Sequence, residues 1–248
     1  MAFHELRRLA GRYVLPVVFP RHCPVCKAIV PFGRYICPSC YSKLTFIQSP
    51  CCLRCGKPVT SSDQEYCYDC RSFPKTFTAG CSLLMYNNIS RPAMMDYKYK
   101  NRRMLTSFYT DELVLRYRPL IRSWHLNAMV PVPIHRKKKK KRGYNQAELL
   151  SSSLSDSFHL SHYPDLLIRK VNTSPQKQFT PQARVNNLQA AFCLNPRYRT
   201  LASELKAVGL VDDIYTTGAT MEACTRILLA AGVGRVYVIS VCIGAARD

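Results

Sequence analysis

Apolar residues along the chain follow two rhythms, separated by polar stretches. Short runs at residues 78–86, 128–132, 207–211 and 236–242 have the length and β-branched content of buried strands. Pro131 and Pro133 end the second run and predict a rigid loop after it. Residues 91–122 carry Met94, Met95, Leu105, Leu113, Leu115 and Leu120 among many charges, the pattern of one or two amphipathic helices, with Met94, Met95 and Trp124 read as core. Residues 145–158 read as a further helix. Residues 173–187, rich in Ser, Pro, Gln and Asn without periodicity, read as a mobile loop.

The C-terminal pattern is the clearest. A strand at 207–211 leads into a polar loop at 212–220. Met221, Cys224, Leu228 and Ala231 then recur at helical spacing up to Gly232, with Cys224 packed inward, and a second strand follows at 236–242. Strand, helix and strand in that order predict a right-handed parallel crossover, with a ligand at the carboxyl end of its first strand. The fold class is therefore α/β, a parallel sheet flanked by helices.

With 248 residues, 47% apolar and 21% charged, the chain can bury a sizeable core, and wholesale disorder is excluded. The apolar run at residues 13–19 is broken by Pro16, and no stretch approaches the roughly 18 residues that span a bilayer. Phe19, Pro20, Arg21 and His22 do not form a cleavage site, so the expected compartment is the cytoplasm.

Two quantities are unusual, a net charge of +21 and 13 Cys. The charge points to polyanionic partners. Nine of the Cys lie between residues 23 and 70, and eight form the pairs Cys23/Cys26, Cys37/Cys40, Cys52/Cys55 and Cys67/Cys70. Two thiolates per turn and four per site match closed, structural Zn2+ sites, and a segment this poor in apolar mass needs metal to fold. Two Zn2+ are expected. Gaps of 10 or 11 residues separate all neighbouring pairs, so spacing does not distinguish consecutive from interleaved connectivity. Cys51 is read as a spare. The expected division is a zinc module in residues 1–75 and a second domain in residues 76–248.

The loop after the strand at 207–211 contains Asp212, Asp213, Thr216, Thr217, Gly218, Ala219 and Thr220. Small residues opening a helix offer backbone N–H groups and hydroxyls to an anion. Adjacent carboxylates would repel that anion, so they must face neutral hydroxyls or a divalent ion. Together these describe a site for a ribose 5-phosphate.

The two acids followed by Thr-Thr-Gly-x-Thr resemble the 5-phosphoribosyl 1-diphosphate (PRPP) motif of type I phosphoribosyltransferases. The resemblance narrows to the ComF/GntX-like family of competence proteins. It is carried by Val130-Pro131-Val132-Pro133-Ile134-His135, by Arg142-Gly143-Tyr144-Asn145-Gln146-Ala147-Glu148, by Arg169, Gln176, Arg184, Asn187 and Phe192, and by the Cys pairs, over nearly the entire chain. It implies a zinc module joined to a phosphoribosyltransferase-like domain and a part in natural transformation, handling incoming single-stranded DNA beside the uptake machinery.

By that resemblance Asp212 and Asp213 bind the ribose hydroxyls, and residues 216–220 cradle the 5-phosphate. The turn containing Pro133 and Ile134 supplies the pyrophosphate loop, and Mg2+ accompanies PRPP. Arg142, Arg169 and Arg184 neutralise the diphosphate. Thr216 stands where purine-salvage relatives carry an Asp base, which disfavours purine salvage and leaves turnover open. The alternatives are a nucleotide-forming phosphoribosyltransferase and a PRPP-sensing scaffold that binds a helicase partner.

Residues 91–142 hold 15 basic against 3 acidic residues, a net of +12 in 52 positions. The densest part is Arg136, Lys137, Lys138, Lys139, Lys140, Lys141 and Arg142. Such a run is either a solvated surface or a polyanion contact. Its place after the presumed pyrophosphate loop, near Tyr97, Tyr99 and Tyr144, favours single-stranded DNA held by Lys137–Lys141 and stacked on Tyr144. The six His form no metal-ligand set.

Overall fold

A computed structural model describes residues 21–171 and 190–245. The loop expected at 173–187, with Gln176, Arg184 and Asn187, lies outside the described residues. Five parallel strands form the main sheet in the order β1, β7, β6, β2, β3. They are β1 (Ala79–Met85), β2 (Ala128–Pro131), β3 (Ser161–His162), β6 (Ala207–Tyr215) and β7 (Arg235–Ile243), while β4 (Leu167–Arg169) and β5 (Phe192–Leu194) form a separate antiparallel pair. The predicted crossover is present, with α8 (Ala219–Ala230) between β6 and β7.

Period-two alternation divides the core between the two faces of the sheet. Tyr237, Ile239 and Val241 of β7 join one apolar cluster, and Val236 and Val238 join the other. Helices α3 (Ser90–Tyr99), α4 (Leu105–Ser123) and α6 (Gln146–Phe158) contribute Met94, Tyr97, Leu113, Leu150 and Leu154 to the first cluster. Trp124 is buried there, stacked on Tyr237 with centroids 4.7 Å apart. Met94 is buried, but Met95, Leu115 and Leu120 are exposed. Consecutive helical residues point about 100° apart, so Met94 takes the core position and Met95 cannot share it.

The cysteine segment joins the same two clusters. Cys23, Val30 and Ile36 pack with the first, and Ile47, Cys52, Cys55, Cys67 and Cys70 with the second. Between them, residues 45–47 run antiparallel along the outer edge of β1: Ile47 N donates to Leu83 O at 3.0 Å and Met85 N to Thr45 O at 2.9 Å. The link between the ribbons thus covers part of an edge strand that would otherwise present open backbone groups. No helix is long and apolar enough to cross a membrane among the described residues.

Candidate metal centres and anion site

Cys23, Cys26, Cys37 and Cys40 form one four-sulfur group and Cys52, Cys55, Cys67 and Cys70 another, with the sulfurs of each group within 4.8 Å of one another. Connectivity is therefore consecutive. Cys26 Sγ lies 3.6 Å from Cys37 Sγ, and Cys55 Sγ 3.6 Å from Cys67 Sγ. A tetrahedron with Zn–S bonds of about 2.3 Å has edges of about 3.8 Å, so both groups fit structural zinc.

The two ribbons repeat one design. Cys23 N donates to Ala28 O and Lys27 N to Cys23 O; Cys52 N donates to Lys57 O and Gly56 N to Cys52 O. The fifth residue of each turn is left-handed, Lys27 at φ 66° and Gly56 at φ 72°. The second pair of each group sits on a short helix, α1 (Pro38–Tyr41) or α2 (Tyr68–Ser72). Cys51 lies outside both groups, its Sγ donating to Gln48 O at 3.1 Å. Reduced protein is expected to contain two zinc ions by elemental analysis and to keep both after Cys51→Ser; a single ion would contradict the paired groups.

The acid pair belongs to strand β6, which extends to Tyr215, and not to a loop starting at residue 212. Asp212, Ile214 and Tyr215 pair with Ser240, Cys242 and Ile243 of β7, and this long partner strand carries the pairing past the last purely apolar run. Only residues 216–218 are left to turn into α8. The amides of Thr216, Thr217 and Gly218 make no backbone hydrogen bond among the described residues. The Thr216, Thr217 and Thr220 hydroxyls likewise have no protein partner there. Gly218, at φ 75°, supplies the left-handed turn, and its carbonyl accepts from Glu222 N at 2.8 Å.

Asp213 pairs with Lys98 of α3, Nζ to Oδ1 at 2.9 Å, and its own amide donates to Asp212 Oδ1 at 2.8 Å. Burial, and then the charge of Asp213, push the Asp212 carboxyl up to about 7, against the opposing pull of Lys98 and Arg169. Burial alone would depress the Lys98 ammonium, but Asp213 holds it above its ordinary range. Lys138 is pushed down by burial and then by Arg169, Arg142 and Lys98. Four cations thus converge near the acid pair.

Asn145 ties this region to the turn after β2. Its amide donates to Val132 O at 3.0 Å while its Oδ1 caps α6 by accepting from Ala147 N. Pro133 and Ile134 follow in that turn. Arg142 donates to Gln146 Oε1 at 3.2 Å and to Tyr99 Oη at 3.1 Å, and lies over the Tyr99 ring. Arg169 lies over the Phe192 ring.

The basic run folds as a helix, α5 (Arg136–Arg142), with no buried residue. Lys138 and Arg142, four positions apart, turn partly inward, whereas Arg136, Lys137, Lys139, Lys140 and Lys141 are exposed and Lys139 pairs with Glu148 at 2.8 Å. Tyr144 is not a stacking platform. Its ring is buried, its hydroxyl donates to Tyr97 O, and Arg103 covers one face. Tyr97 is buried as well, so of the three rings only Tyr99 is exposed.

Sequence reading passed over Lys98, Lys138 as an inward-facing residue, and Asn145 as a bridge. Lys98 is one cation among 15 in its region, and only the fold sets it against Asp213.

Residues 14–71 match the double zinc ribbon domain family. The chain is 27% identical over 203 residues to competence protein ComFC of Bacillus subtilis, covering 79% of each chain. It is 26% identical over 224 residues to competence protein F of Haemophilus influenzae, covering 84% of this chain and 96% of that one. Similarity to the DNA utilization protein YhgH of Escherichia coli is 27% over 227 residues, covering 90% and 97%.

Proposed function

We propose, from its similarity to competence protein ComFC, competence protein F and the DNA utilization protein YhgH, that the chain belongs to their family, handles incoming single-stranded DNA in natural transformation and carries a PRPP site. One observation carries the ligand reading. A carboxylate pair ringed by Lys98, Lys138, Arg142 and Arg169 stands beside a loop of unpartnered amides at the carboxyl end of the parallel sheet. The loop suits a 5-phosphate, the acids suit hydroxyl donors, and the cations suit a diphosphate. Mg2+ would be held by ligand oxygens, since Asp213 is already paired with Lys98.

Binding without turnover is the reading favoured here, because Thr216 is the exposed residue where a purine base catalyst would stand. Calorimetry with PRPP and Mg2+ tests it. Asp212→Asn combined with Asp213→Asn is expected to weaken binding at least tenfold, about 1.4 kcal/mol. Unchanged affinity would refute the site. Pyrophosphate release with any free base would restore the enzyme reading.

The DNA reading rests on α5. Four exposed cations without an acidic partner among the described residues, Arg136, Lys137, Lys140 and Lys141, imply a slope of roughly −3 in log K against log salt at about 0.7 per phosphate contact. Changing Lys137–Lys141 to Gln is expected to flatten that slope and weaken binding alike for all sequences. A variant that keeps slope and affinity would make α5 only a solvated surface.

A further inference from the structure

The second ribbon and the anion loop share a side chain. Tyr215, the last residue of β6, is 2% exposed and packs edge-on against Phe77 in the same cluster as Cys52, Cys55, Cys67 and Cys70. Its hydroxyl lies against Gly218, where a Cβ would collide with it. That hydroxyl has no hydrogen-bond partner among the described residues. The ring is therefore held by packing, within a cluster that includes the second ribbon's four cysteines, and its hydroxyl lies near enough to Cys55, Cys67, Cys70 and Asp69 to feel their charges.

Two further ties join the same parts. Thr76, between the ribbon and β1, donates its amide and hydroxyl to the Glu222 carboxylate in the first turn of α8, at 2.8 and 3.1 Å. Lys57, inside the second ribbon, binds Asp69 at 2.6 Å and Ala245 O at 3.2 Å, while neighbouring Gly244 donates its amide to Tyr215 O at 2.8 Å. The first ribbon reaches elsewhere. Lys27 binds Asp96 of α3 at 2.6 Å, and Tyr41 donates to Glu112 of α4 at 2.8 Å.

We propose that the second four-cysteine group, acting through Tyr215, positions the loop at residues 216–218, so that the two zinc ions are functionally inequivalent: the second governs the loop's anion affinity and the first does not. A turn whose amides converge on an anion needs a fixed floor, and a left-handed Gly218 without a Cβ can rest directly on the Tyr215 ring. Release of the second metal loosens that ring, because no hydrogen bond from its hydroxyl retains it. The inference rests on the proposed ligand only for the identity of the anion.

The test uses the full chain with Cys67→Ser/Cys70→Ser and, separately, Cys37→Ser/Cys40→Ser. Two readouts are taken: hydrogen exchange of the amides at residues 216–219, and calorimetric binding of ribose 5-phosphate, which lacks the diphosphate and so reads the loop and the acid pair alone. The second-ribbon variant is expected to exchange at least tenfold faster in the loop and to bind at least tenfold more weakly, whereas the first-ribbon variant stays within twofold on both. Equal effects of the two variants, or none, would overturn the assignment.

If either ribbon variant does not fold, Tyr215→Ala and Tyr215→Phe decide the matter with both zinc ions retained. Ala is expected to speed loop exchange tenfold while β2 is unchanged, and Phe to behave as the parent because the hydroxyl has no partner among the described residues. An Ala variant with parental exchange refutes the proposal. Loop exchange is read without ligand, so a parent chain that shows the expected exchange pattern yet ignores ribose 5-phosphate would sink the ligand reading and leave the positioning role standing.

Discussion

Asp212→Asn is expected to stabilise the unliganded chain at pH 8 while it damages PRPP binding. The Asp212 carboxyl titrates near 7 in the folded chain, chiefly because it is buried and then because Asp213 is beside it, whereas an unfolded Asp titrates near 3.9. Between these values the native state keeps a proton that the unfolded chain has released, so stability falls as pH rises from about 4 to about 7. The full difference corresponds to roughly 4 kcal/mol, and solvent reaching this partly exposed side chain reduces it.

Asn carries no charge at any pH and removes this dependence. The melting temperature of the variant should match the parent near pH 4.5 and exceed it by about 4 °C or more at pH 8. Parallel profiles for parent and variant would show that Asp212 is not held protonated by its surroundings. A stability gain bought with a binding loss is the mark of a carboxylate kept for its ligand and not for the fold.

The parts of this architecture that were legible before the fold was known are those written in local spacing. Four Cys-x2-Cys pairs announced the two four-sulfur groups, and the apolar run, the acid pair and Gly218 announced a strand turning into a helix. Connectivity of the sulfurs was not legible, because the gap from Cys40 to Cys52 repeats the gaps within each ribbon. Tyr144 was misread for a different reason. A ring that follows a run of cations looks the same whether it faces solvent or core, and what buries it is the carbonyl of Tyr97, 47 residues away. Lys98 escaped notice likewise, since its partner Asp213 lies 115 positions further along the chain. Strand β6 was read four residues too short, since Asp212 and Asp213 look like loop until β7 is set beside them.

Removal of both zinc ions is expected to unfold the parallel sheet together with the ribbons. The cysteine segment precedes the sheet in sequence, and a division near residue 75 suggests a module that could melt alone. Packing argues otherwise. Cys23, Val30 and Ile36 share a cluster with Leu83, Met94 and Trp124, and Cys55 and Cys70 share the other with Phe77, Val208 and Leu210. Structural zinc contributes on the order of 10 kcal/mol per site in isolated finger peptides, comparable with the whole stability of an ordinary domain at about 5–15 kcal/mol.

The chain's single Trp makes the experiment selective. Trp124 stacks on Tyr237 of β7 and reports the sheet, not the sulfurs. Chelation under reducing conditions should abolish the near-ultraviolet dichroism of Trp124 in the same transition that releases zinc, and a fragment of residues 76–248 should show no cooperative melting. If the Trp124 signal survives complete zinc removal, the ribbons are an appended module and the two apolar clusters hold without them. Loss of both signals in one step would mean that the metal sites stabilise the sheet on which Asp212, Asp213 and the 216–218 loop are displayed.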